Sequence, residues 1–327
     1  MSGLIEDMFA RQLEERKQRL QEAATKANDP RQINDLLEDV DRALAKISAG
    51  NYGLCESCHE PIEPERLAFD PMTRYCLDHL TETEQHALER DIELARQMQD
   101  RLLPARNLVL PGWESHFHYE PSGQVSGDYC DIIIRDSSPG SFYFIVGDVT
   151  GKGIAASLLM SQLHAMFRTL AGSGLSLSGL MERINRLFCE ASLTTHFATL
   201  VCGLAHETGE IEISNAGHCL PLAIRDEGIE RLSASGLPLG VVCDARYRAE
   251  TKKLRSGESL FLYTDGLTES AARSGELYGE NRILELLKTS SSVSPTRLIE
   301  SCLDDLARFS GEGRKSDDLT LMVLRKE

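Results

Sequence analysis

The chain has 327 residues, with 35 Lys and Arg against 51 Asp and Glu, and a formal net charge of −16. Hydrophobic residues make up 41% and charged residues 26%, which is ordinary globular usage and excludes collagen-like, low-complexity and wholly disordered chains. This length leaves room for one large domain and a smaller module. Because the acidic balance repels nucleic-acid phosphates and anionic membrane surfaces, direct binding to nucleic acid or membrane is not expected.

The N-terminal residues lack a basic segment followed by an apolar one, and no stretch reaches the roughly 18 apolar residues that span a bilayer. We therefore expect a cytoplasmic protein. The nine cysteines are an odd number, so a disulfide framework is not expected, and clustered cysteines are better explained as metal ligands. Cys130 and the other scattered cysteines are interpreted as core residues.

Residues 1–50 are predicted to form a helical hairpin. A polar helix over Gly3–Ala27 is separated by Asn28–Pro30 from a second helix over Arg31–Ile47. The second helix carries apolar residues at steps of three and four, which is typical of a helix with one buried face. Two helices joined by so short a turn indicate an antiparallel pair.

Residues 51–80 contain a cluster of potential metal ligands. Cys55 and Cys58 form one pair, and Cys76 and His79 form a second pair after seventeen intervening residues. Two pairs with this spacing can close a tetrahedral Cys3His site for one Zn²⁺. His59 is an alternative ligand, although the second pair completes the set without it. We expect a small finger that a bound metal ion stabilises, because the segment has too little hydrophobic periodicity to build its own core.

About residues 30–80 resemble the DksA/TraR zinc-finger family. The resemblance is carried by Tyr52-Gly53-Leu54-Cys55-Glu56-Ser57-Cys58, Pro61-Ile62, Glu65-Arg66-Leu67 and Tyr75-Cys76. His79 stands where the family most often has a fourth cysteine, which still permits zinc. Family members bind RNA polymerase and carry a long coiled coil with an acidic tip. Here the hairpin is short and only Asp29 lies near its turn, so the resemblance implies a structural zinc site more than polymerase binding.

Residues 81–104 are predicted to form a linker helix. Leu88, Ile92, Ala95, Gln99 and Leu102 follow alternating steps of four and three before Pro104 ends the helix. This spacing is typical of a coiled-coil seam and predicts a homodimer formed through the linker. The alternative is a helix packed on its own C-terminal domain, which suits a stripe that contains a glutamine equally well.

Residues 105–327 are predicted to form an α+β domain, since strands and helices occur in blocks without regular βαβ alternation. The predicted strands are Tyr129–Arg135, Ser141–Val149, Phe197–Ala205, Gly209–Ser214, Leu220–Arg225, Ser259–Tyr263 and Leu319–Leu324. The predicted helices are Ile154–Ala171, Leu177–Ser192, Arg282–Lys288 and Pro295–Phe309.

Aspartates end several of these hydrophobic runs or lie in glycine-flanked turns. They are Asp128, Asp148, Asp265, and the pair Asp317 and Asp318. Each one alone is most simply a turn or capping residue. If they converge, their oxygens suit Mg²⁺ or Mn²⁺, and two such ions can activate a shared water for in-line attack on a phosphoryl group.

The aspartate motifs resemble the SpoIIE/RsbU branch of PPM-type serine/threonine phosphatases, in order, over about residues 95–325. The matching segments are Met98-Gln99-Asp100-Arg101-Leu102-Leu103-Pro104, Val125-Ser126-Gly127-Asp128-Tyr129-Cys130-Asp131, Gly147-Asp148-Val149-Thr150-Gly151-Lys152-Gly153, Asn215-Ala216-Gly217-His218, Tyr263-Thr264-Asp265-Gly266-Leu267-Thr268-Glu269 and Asp317-Asp318-Leu319-Thr320.

This resemblance implies an αββα sandwich with two Mn²⁺ or Mg²⁺ at one end. It implies that Asp148 bridges both ions and that Val149 offers its carbonyl oxygen. The other implied ligands are Asp128, Asp265 and Asp317, with Asp318 and Asp131 as second choices. Water activated in this way would attack the phosphorus directly, without a phosphoenzyme.

His218 is a candidate proton donor or substrate contact, because histidine is the usual general acid for a leaving serine oxygen. The alternative is a packed turn histidine. The wider superfamily has a histidine shortly after the bridging aspartate, but Thr150 occupies that place here. The general acid therefore stays unassigned.

Together, the resemblances imply a metal-dependent protein serine/threonine phosphatase that acts in bacterial partner switching and is regulated through the N-terminal zinc module. The implied substrate is a phosphorylated STAS-type anti-sigma factor antagonist. The alternative is a zinc-finger transcription regulator that contacts RNA polymerase and uses the phosphatase-like domain as a scaffold.

Overall fold

The computed structural model describes residues 3–26, 31–80, 82–135, 138–192, 196–233, 236–288, 293–311 and 317–327. The chain divides into two compact units, residues 1–91 and 92–327. The predicted turn at Asn28–Pro30, including Asp29, lies outside the described residues. Within the described ranges, no helix combines the length and the apolar character that crossing a membrane requires.

The first unit begins with two helices that pack on each other. Its elements are α1 (Gly3–Lys26), α2 (Arg31–Ser48), α3 (Pro64–Phe69), a 3-10 turn over Leu77–His79, and α4 (Glu82–Asp100), which ends in the second unit. Leu13 of α1 and Val40 of α2 are buried in one apolar cluster, and Lys17 Nζ lies 2.5 Å from Asp41 Oδ1. The predicted pair of N-terminal helices is therefore present.

The finger that follows shares this apolar cluster, and a charged group also connects it to α2. The Glu56 carboxylate accepts hydrogen bonds from the Arg74 guanidinium and lies 3.0 Å from Lys46 Nζ on α2. The Arg74 hydrogen bonds and the nearby Lys46 lower the pKa of Glu56 to about 2. Tyr52 adds a hydrogen bond from its hydroxyl to the Pro71 carbonyl at 2.9 Å.

The second unit contains two antiparallel sheets. The strands are β1 (Asn107–Leu110), β2 (Trp113–Glu120), β3 (Asp128–Ile134), β4 (Ser141–Val149), β5 (Ala198–His206), β6 (Glu210–Ala216), β7 (Leu222–Arg225), β8 (Gly228–Arg231), β9 (Glu250–Lys253), β10 (Ser259–Tyr263) and β11 (Leu319–Lys326). The helices are α5 (Ile154–Leu170), α6 (Leu177–Ala191), α7 (Asp265–Thr268), α8 (Gly279–Lys288) and α9 (Pro295–Ser310). One sheet has the order β1-β2-β11-β10-β7-β8 and the other β3-β4-β5-β6-β9.

Strand β4 shows how the layers form. Phe144 and Val146 face the core between the two sheets, whereas Tyr143 and Ile145 face the core shared with α5 and α6. On the other sheet, alternate residues of β10 and β11 pack against α8 and α9. Side chains that alternate between two apolar layers make each sheet an inner layer, so the predicted αββα sandwich is confirmed.

Strands β1, β2, β8 and β9 were not predicted from the sequence. In β2, buried residues such as Trp113 and Phe117 alternate with half-buried polar ones. This strand pairs with β11 over its whole length, from Leu319 opposite Glu120 to Lys326 opposite Trp113. Histidine and glutamate on its outer face weaken the apolar signal, and β2 is stabilised by pairing with β1 on one side and with β11, about 200 residues later, on the other.

One pair of cysteines corrects the expectation that the scattered cysteines are free core residues. Cys189 of α6 and Cys243 form a disulfide across a sequence separation of 54 residues. The interpretation was wrong for this pair because folding lays the segment after Gly240 along α6. The spacing of the two cysteines in the sequence does not predict that they lie close together.

Replacing Phe144 tests the core between the sheets. A Cβ atom on Gly203 would lie 2.0 Å from the Phe144 ring, so the ring fills the space that this glycine leaves. We expect Phe144→Ala to lower the free energy of unfolding by about 3–5 kcal/mol in urea titrations. Ile134→Ala on β3, where the side chain is 59% exposed, is the control and should change it by less than about 0.5 kcal/mol. Equal effects of the two changes would contradict this packing.

Candidate functional site

The structure brings the four predicted zinc ligands together. The ligand atoms of Cys55, Cys58, Cys76 and His79 all lie within 4.8 Å of one another. Cys58 Sγ is 3.8 Å from Cys76 Sγ, and Cys76 Sγ is 3.3 Å from His79 Nδ1. In a tetrahedral site with Zn–S bonds of about 2.3 Å, two sulfurs lie about 3.8 Å apart. The cluster therefore has the size of a tetrahedral zinc site, and His59 is not among its members.

The electrostatics of the cluster favour a bound cation. Burial opposes ionisation of Cys55, but backbone amide hydrogen bonds from Cys58, Cys76 and Ser57 lower its pKa to about 6. Burial and the neighbouring Cys55 and Cys58 thiols raise the pKa of Cys76. A second thiolate beside the first is thus disfavoured unless a metal ion compensates both charges.

The aspartates of the second unit come together where the ends of the two sheets meet. Asp128 begins β3 and lies directly opposite Asp148 near the end of β4. Asp265 begins α7, immediately after β10, and Asp317 lies just before β11. Because β10 and β11 are neighbours in the other sheet, the carboxylates come from both sheets.

Asp128 is the most buried of these carboxylates, with 1% exposure. Its Oδ2 accepts hydrogen bonds from the Thr264 hydroxyl at 3.0 Å and the Thr320 hydroxyl at 2.5 Å. Its backbone amide donates to Ser126 Oγ at 3.0 Å. Burial, together with the charges of Asp148 and Asp318, raises the pKa of Asp128. No role was predicted for Thr264 and Thr320, although both lie within the segments that match the phosphatase family.

Asp148 lies among like charges. Burial, followed by the charges of Asp265, Asp317 and Asp318, raises the pKa of Asp148 to about 7. Burial and neighbouring carboxylates also raise the pKa of Asp265. Lys152 Nζ, on the turn after Asp148, lies 3.0 Å from Asp317 Oδ1 and offsets part of this charge. Such a group of oxygens accommodates divalent cations, because their charge removes the mutual repulsion.

Glycines allow the backbone to approach these carboxylates. A Cβ atom on Gly127 would lie 2.9 Å from the Val149 carbonyl oxygen and 3.4 Å from Asp148 Oδ1. A Cβ atom on Gly266 would lie 1.8 Å from the Asp318 carbonyl oxygen. Any larger residue at these two positions would displace the backbone that carries the aspartates.

Asp318 organises the loop that precedes Asp128. Its Oδ1 accepts from the Ser122 amide at 2.7 Å, and its Oδ2 accepts from the Gly127 amide at 2.9 Å. Gln99, near the end of α4, fixes the same loop: its side-chain amide donates to the Ser126 carbonyl at 2.8 Å and accepts from the Ser126 amide at 3.0 Å. Gln99 was predicted to lie in the stripe of the linker helix, either in a coiled-coil seam or against its own C-terminal domain, but its hydrogen bonds to Ser126 were not predicted.

Asp131, the other second choice, has different partners from the aspartate group. It is fully buried, and it accepts from Arg168 Nε at 2.9 Å and from a terminal guanidinium nitrogen of Arg168 at 2.6 Å. Because Asp131 is three residues from Asp128 on β3, their side chains point to opposite faces of the sheet. Asp131 therefore fastens α5 to the sheet.

His218 is buried, with 7% exposure, in the turn after β6. Its Nδ1 lies 2.8 Å from Thr199 Oγ1, and its backbone amide donates to Asn215 Oδ1 at 2.8 Å. Burial lowers the pKa of His218 to about 4, so the ring is neutral at pH 7. Thr199 lies opposite Asp148 in the strand register, so the residue that contacts the ring belongs to the strand beside Asp148. The Nε2 atom of His218 is buried and has no hydrogen-bond partner among the described residues, so both interpretations of this histidine stay predictions.

Comparison with known proteins identifies both parts of the chain. The family model for stage II sporulation protein E (SpoIIE) matches residues 138–327, and the model for the prokaryotic dksA/traR C4-type zinc finger matches residues 50–78. Since the first match covers more than half of the chain, the protein belongs to the SpoIIE family. The resemblance to both families is confirmed.

Three curated relatives are similar to this chain over 70–74% of its length. Over 246 residues the chain is 26% identical to the phosphoserine phosphatase RsbU of Bacillus subtilis, covering 74% of this chain and 72% of RsbU. It is 28% identical to the phosphoserine phosphatase RsbP of B. subtilis, covering 70% of this chain and 56% of RsbP. It is 26% identical to IcfG of Synechocystis, covering 72% of this chain. The chain spans only 41% of the length of IcfG.

Solved structures share the fold. The SiaA-PP2C domain of Pseudomonas aeruginosa superposes with a TM-score of 0.66 at 18% identity, over 76% of this chain and 100% of that domain. The RsbU and RsbW domains of a Mycobacterium tuberculosis protein superpose with a TM-score of 0.57 at 27% identity, over 67% of this chain and 61% of that one. The sandwich is therefore a PP2C-type fold.

His79, a member of the metal cluster, and His59, the alternative ligand outside it, provide a test of the cluster. We expect purified protein to contain zinc by mass spectrometry, and His79→Ala to lower zinc affinity by at least about 10-fold in a chelator competition, because one of four ligands is lost. His59→Asn is the matched control, since asparagine tolerates the left-handed φ of 58° found at His59. Loss of zinc from His59→Asn alone would contradict the assignment.

Proposed function

We propose that the second unit is a metal-dependent phosphatase that hydrolyses phosphoserine or phosphothreonine on a regulatory protein. The observation that carries the proposal is the group of aspartates around Asp148, whose pKa is raised to about 7 by burial and by three neighbouring carboxylates. A buried group of like charges is costly unless cations occupy it. The names of RsbU and RsbP, both phosphoserine phosphatases, support the same chemistry.

In this proposal Asp128, Asp148, Asp265 and Asp317 supply carboxylate ligands to two Mn²⁺ or Mg²⁺, and Val149 supplies its carbonyl oxygen. When bound, such ions lower the pKa of water and orient it for in-line attack on phosphorus. Thr264 and Thr320 hold Asp128 in place by hydrogen bonds. Asp318 is proposed to act mainly by holding the loop at Ser122 and Gly127, since both its oxygens already accept backbone hydrogen bonds.

The proposed substrate is a phosphorylated STAS-type anti-sigma factor antagonist in a partner-switching pathway. The similarity to RsbU and to a protein that contains RsbU and RsbW domains supports this setting. A cavity of about 380 Å³ borders Gly266 and Asp317, and Leu303, Leu306 and Leu319 contribute apolar walls. It offers space for residues that flank a phosphoserine.

The first unit is proposed to hold one Zn²⁺ and to regulate the phosphatase through α4. Gln99 provides the physical connection, because α4 ends in the buried hydrogen bonds to Ser126, two residues before Asp128. Leu102, at the end of the seam, packs against the α5–α6 core. Leu88, nearer its start, is 39% exposed and is available to a second copy of the chain.

Phosphate release tests the catalytic proposal. With Mn²⁺ or Mg²⁺, we expect turnover of an aryl phosphate and a phosphoserine peptide, and a loss of about 100-fold or more in Asp148→Asn and Asp265→Asn. Asp148→Asn should remain folded, because it removes one of several repelling charges. Asp226→Asn, in the exposed turn between β7 and β8, is the matched control and should retain full activity. Turnover that persists in chelator or in both site variants would exclude the mechanism.

Metal binding should be measured on the same variants by calorimetry. Tight Mn²⁺ binding without turnover would indicate an enzyme that requires an activator. If the wild-type protein binds no Mn²⁺, the scaffold alternative is favoured instead.

The linker seam can be tested separately. We expect Leu88→Asn and Ile92→Asn to change the sedimentation coefficient and the phosphatase rate together, because both residues lie on the predicted seam. Leu94→Asn, on another face of α4 where the side chain is 51% exposed, serves as the control. Unchanged sedimentation together with an unchanged rate would contradict dimerisation through the linker.

A further inference from the structure

The Cys189–Cys243 disulfide lies where a redox reagent can reach it. The two Cα atoms are 5.8 Å apart, a separation that a disulfide spans without backbone movement. Cys243 is exposed and Cys189 is half-buried. By contrast, burial raises the pKa of the thiols of Cys130, Cys202 and Cys302, which keeps them in the unreactive protonated form.

The segment that carries Cys243 is held on α6 by contacts other than the disulfide. The Asn185 side chain donates to the Val242 carbonyl at 2.8 Å and to the Cys243 carbonyl at 3.2 Å, and it accepts from the Gly240 amide at 2.9 Å. Arg246, just beyond, pairs with Glu182 of α6 at 2.9 Å. These contacts keep the two sulfurs near each other after reduction, so the bond can form again without a large loss of chain entropy.

The same segment supports the strand beside the aspartates. Leu239 exchanges two backbone hydrogen bonds with Ala198, at 2.8 and 3.0 Å. Ala198 precedes Thr199, which lies opposite Asp148 in the register. The preceding residue, Phe197, accepts a hydrogen bond from the Thr150 amide at 2.9 Å. A change in the mobility of residues 239–243 therefore acts on the strand that borders the turn after Asp148.

We propose that Cys189 and Cys243 are a reversible thiol–disulfide pair, which adds a covalent bond between residues 239–243 and α6 when oxidised and leaves the segment held only by its hydrogen bonds and ion pair, and therefore more mobile, when reduced. The co-reactant is a low-molecular-weight disulfide such as oxidised glutathione. The exposed Cys243 thiolate attacks one sulfur of that reagent and expels a thiolate. Cys189, as a thiolate, then attacks Cys243 Sγ and expels the second. The two cysteines lose two electrons and two protons, and the reagent leaves as two thiols.

The redox state is measured by equilibrating the full-length, zinc-containing protein in glutathione buffers of different ratio, followed by differential alkylation and peptide mass spectrometry. Mapping by peptide separates this pair from the cysteines of the zinc cluster. We expect the two peptides to pass from linked to alkylated at one midpoint, reversibly, while Cys302 stays reduced throughout. Thiols at every ratio, or a disulfide at every ratio, would each overturn the proposal.

The structural effect is measured by hydrogen exchange and melting, with a non-thiol reductant and excess zinc. Reduction should increase amide exchange in residues 236–249 and lower the melting temperature by about 5 °C or more, because the bond closes a loop of this size. Cys243→Ser, at an exposed position, should fold, match the reduced wild type and no longer respond to reductant. Exchange in residues 236–249 that is the same in both redox states would contradict the proposal. None of these readouts depends on phosphatase activity.

Discussion

The second unit depends on the hydrogen bonds that hold the buried Asp128 carboxylate. Asp128 belongs to β3 of one sheet, and its donors, Thr264 and Thr320, belong to the ends of two neighbouring strands of the other sheet. A carboxylate with so little exposure is costly to bury unless donors and a cation compensate it. This requirement aligns the ends of both sheets and brings Asp148, Asp265 and Asp317 into one electrostatic group.

The surroundings of this group maintain an arrangement that its own charges oppose. Asp318 and Gln99 fix the loop before Asp128 from two directions, one from the start of β11 and one from the end of α4. On the opposite side, Leu239 supports the first residue of β5. The linker helix and the Cys189–Cys243 segment therefore reach the same site by short hydrogen-bonded routes. In the two proposals, regulation acts through these routes without contact to the carboxylates.

Much of the fold was predictable because its signals are local. Strand β4 reads as one apolar run, α6 has a single apolar face, and the four ligands of the finger follow zinc spacing. Strand β2 was missed because polar residues occupy its outer face, and because one of its two pairing partners, β11, lies about 200 residues away in the sequence. At the site, the sequence could have excluded Asp131 as a ligand beside Asp128. The two residues are three positions apart on β3, and side chains three positions apart point to opposite faces of a strand.

The sequence by itself determined the class of the sandwich, the membership of the zinc cluster and the set of aspartates from which the site is built. Periodicity indicates only an α+β domain, and short ligand spacing indicates the zinc cluster; the sandwich and the set of aspartates follow from the resemblance of the ordered motifs to the SpoIIE/RsbU branch. Tertiary structure decided that Asp318 holds a loop, that Gln99 leaves the seam to bind Ser126, and that Cys189 meets Cys243. Those contacts join residues 196, 27 and 54 positions apart, and only the packed layers bring such distant groups within bonding distance.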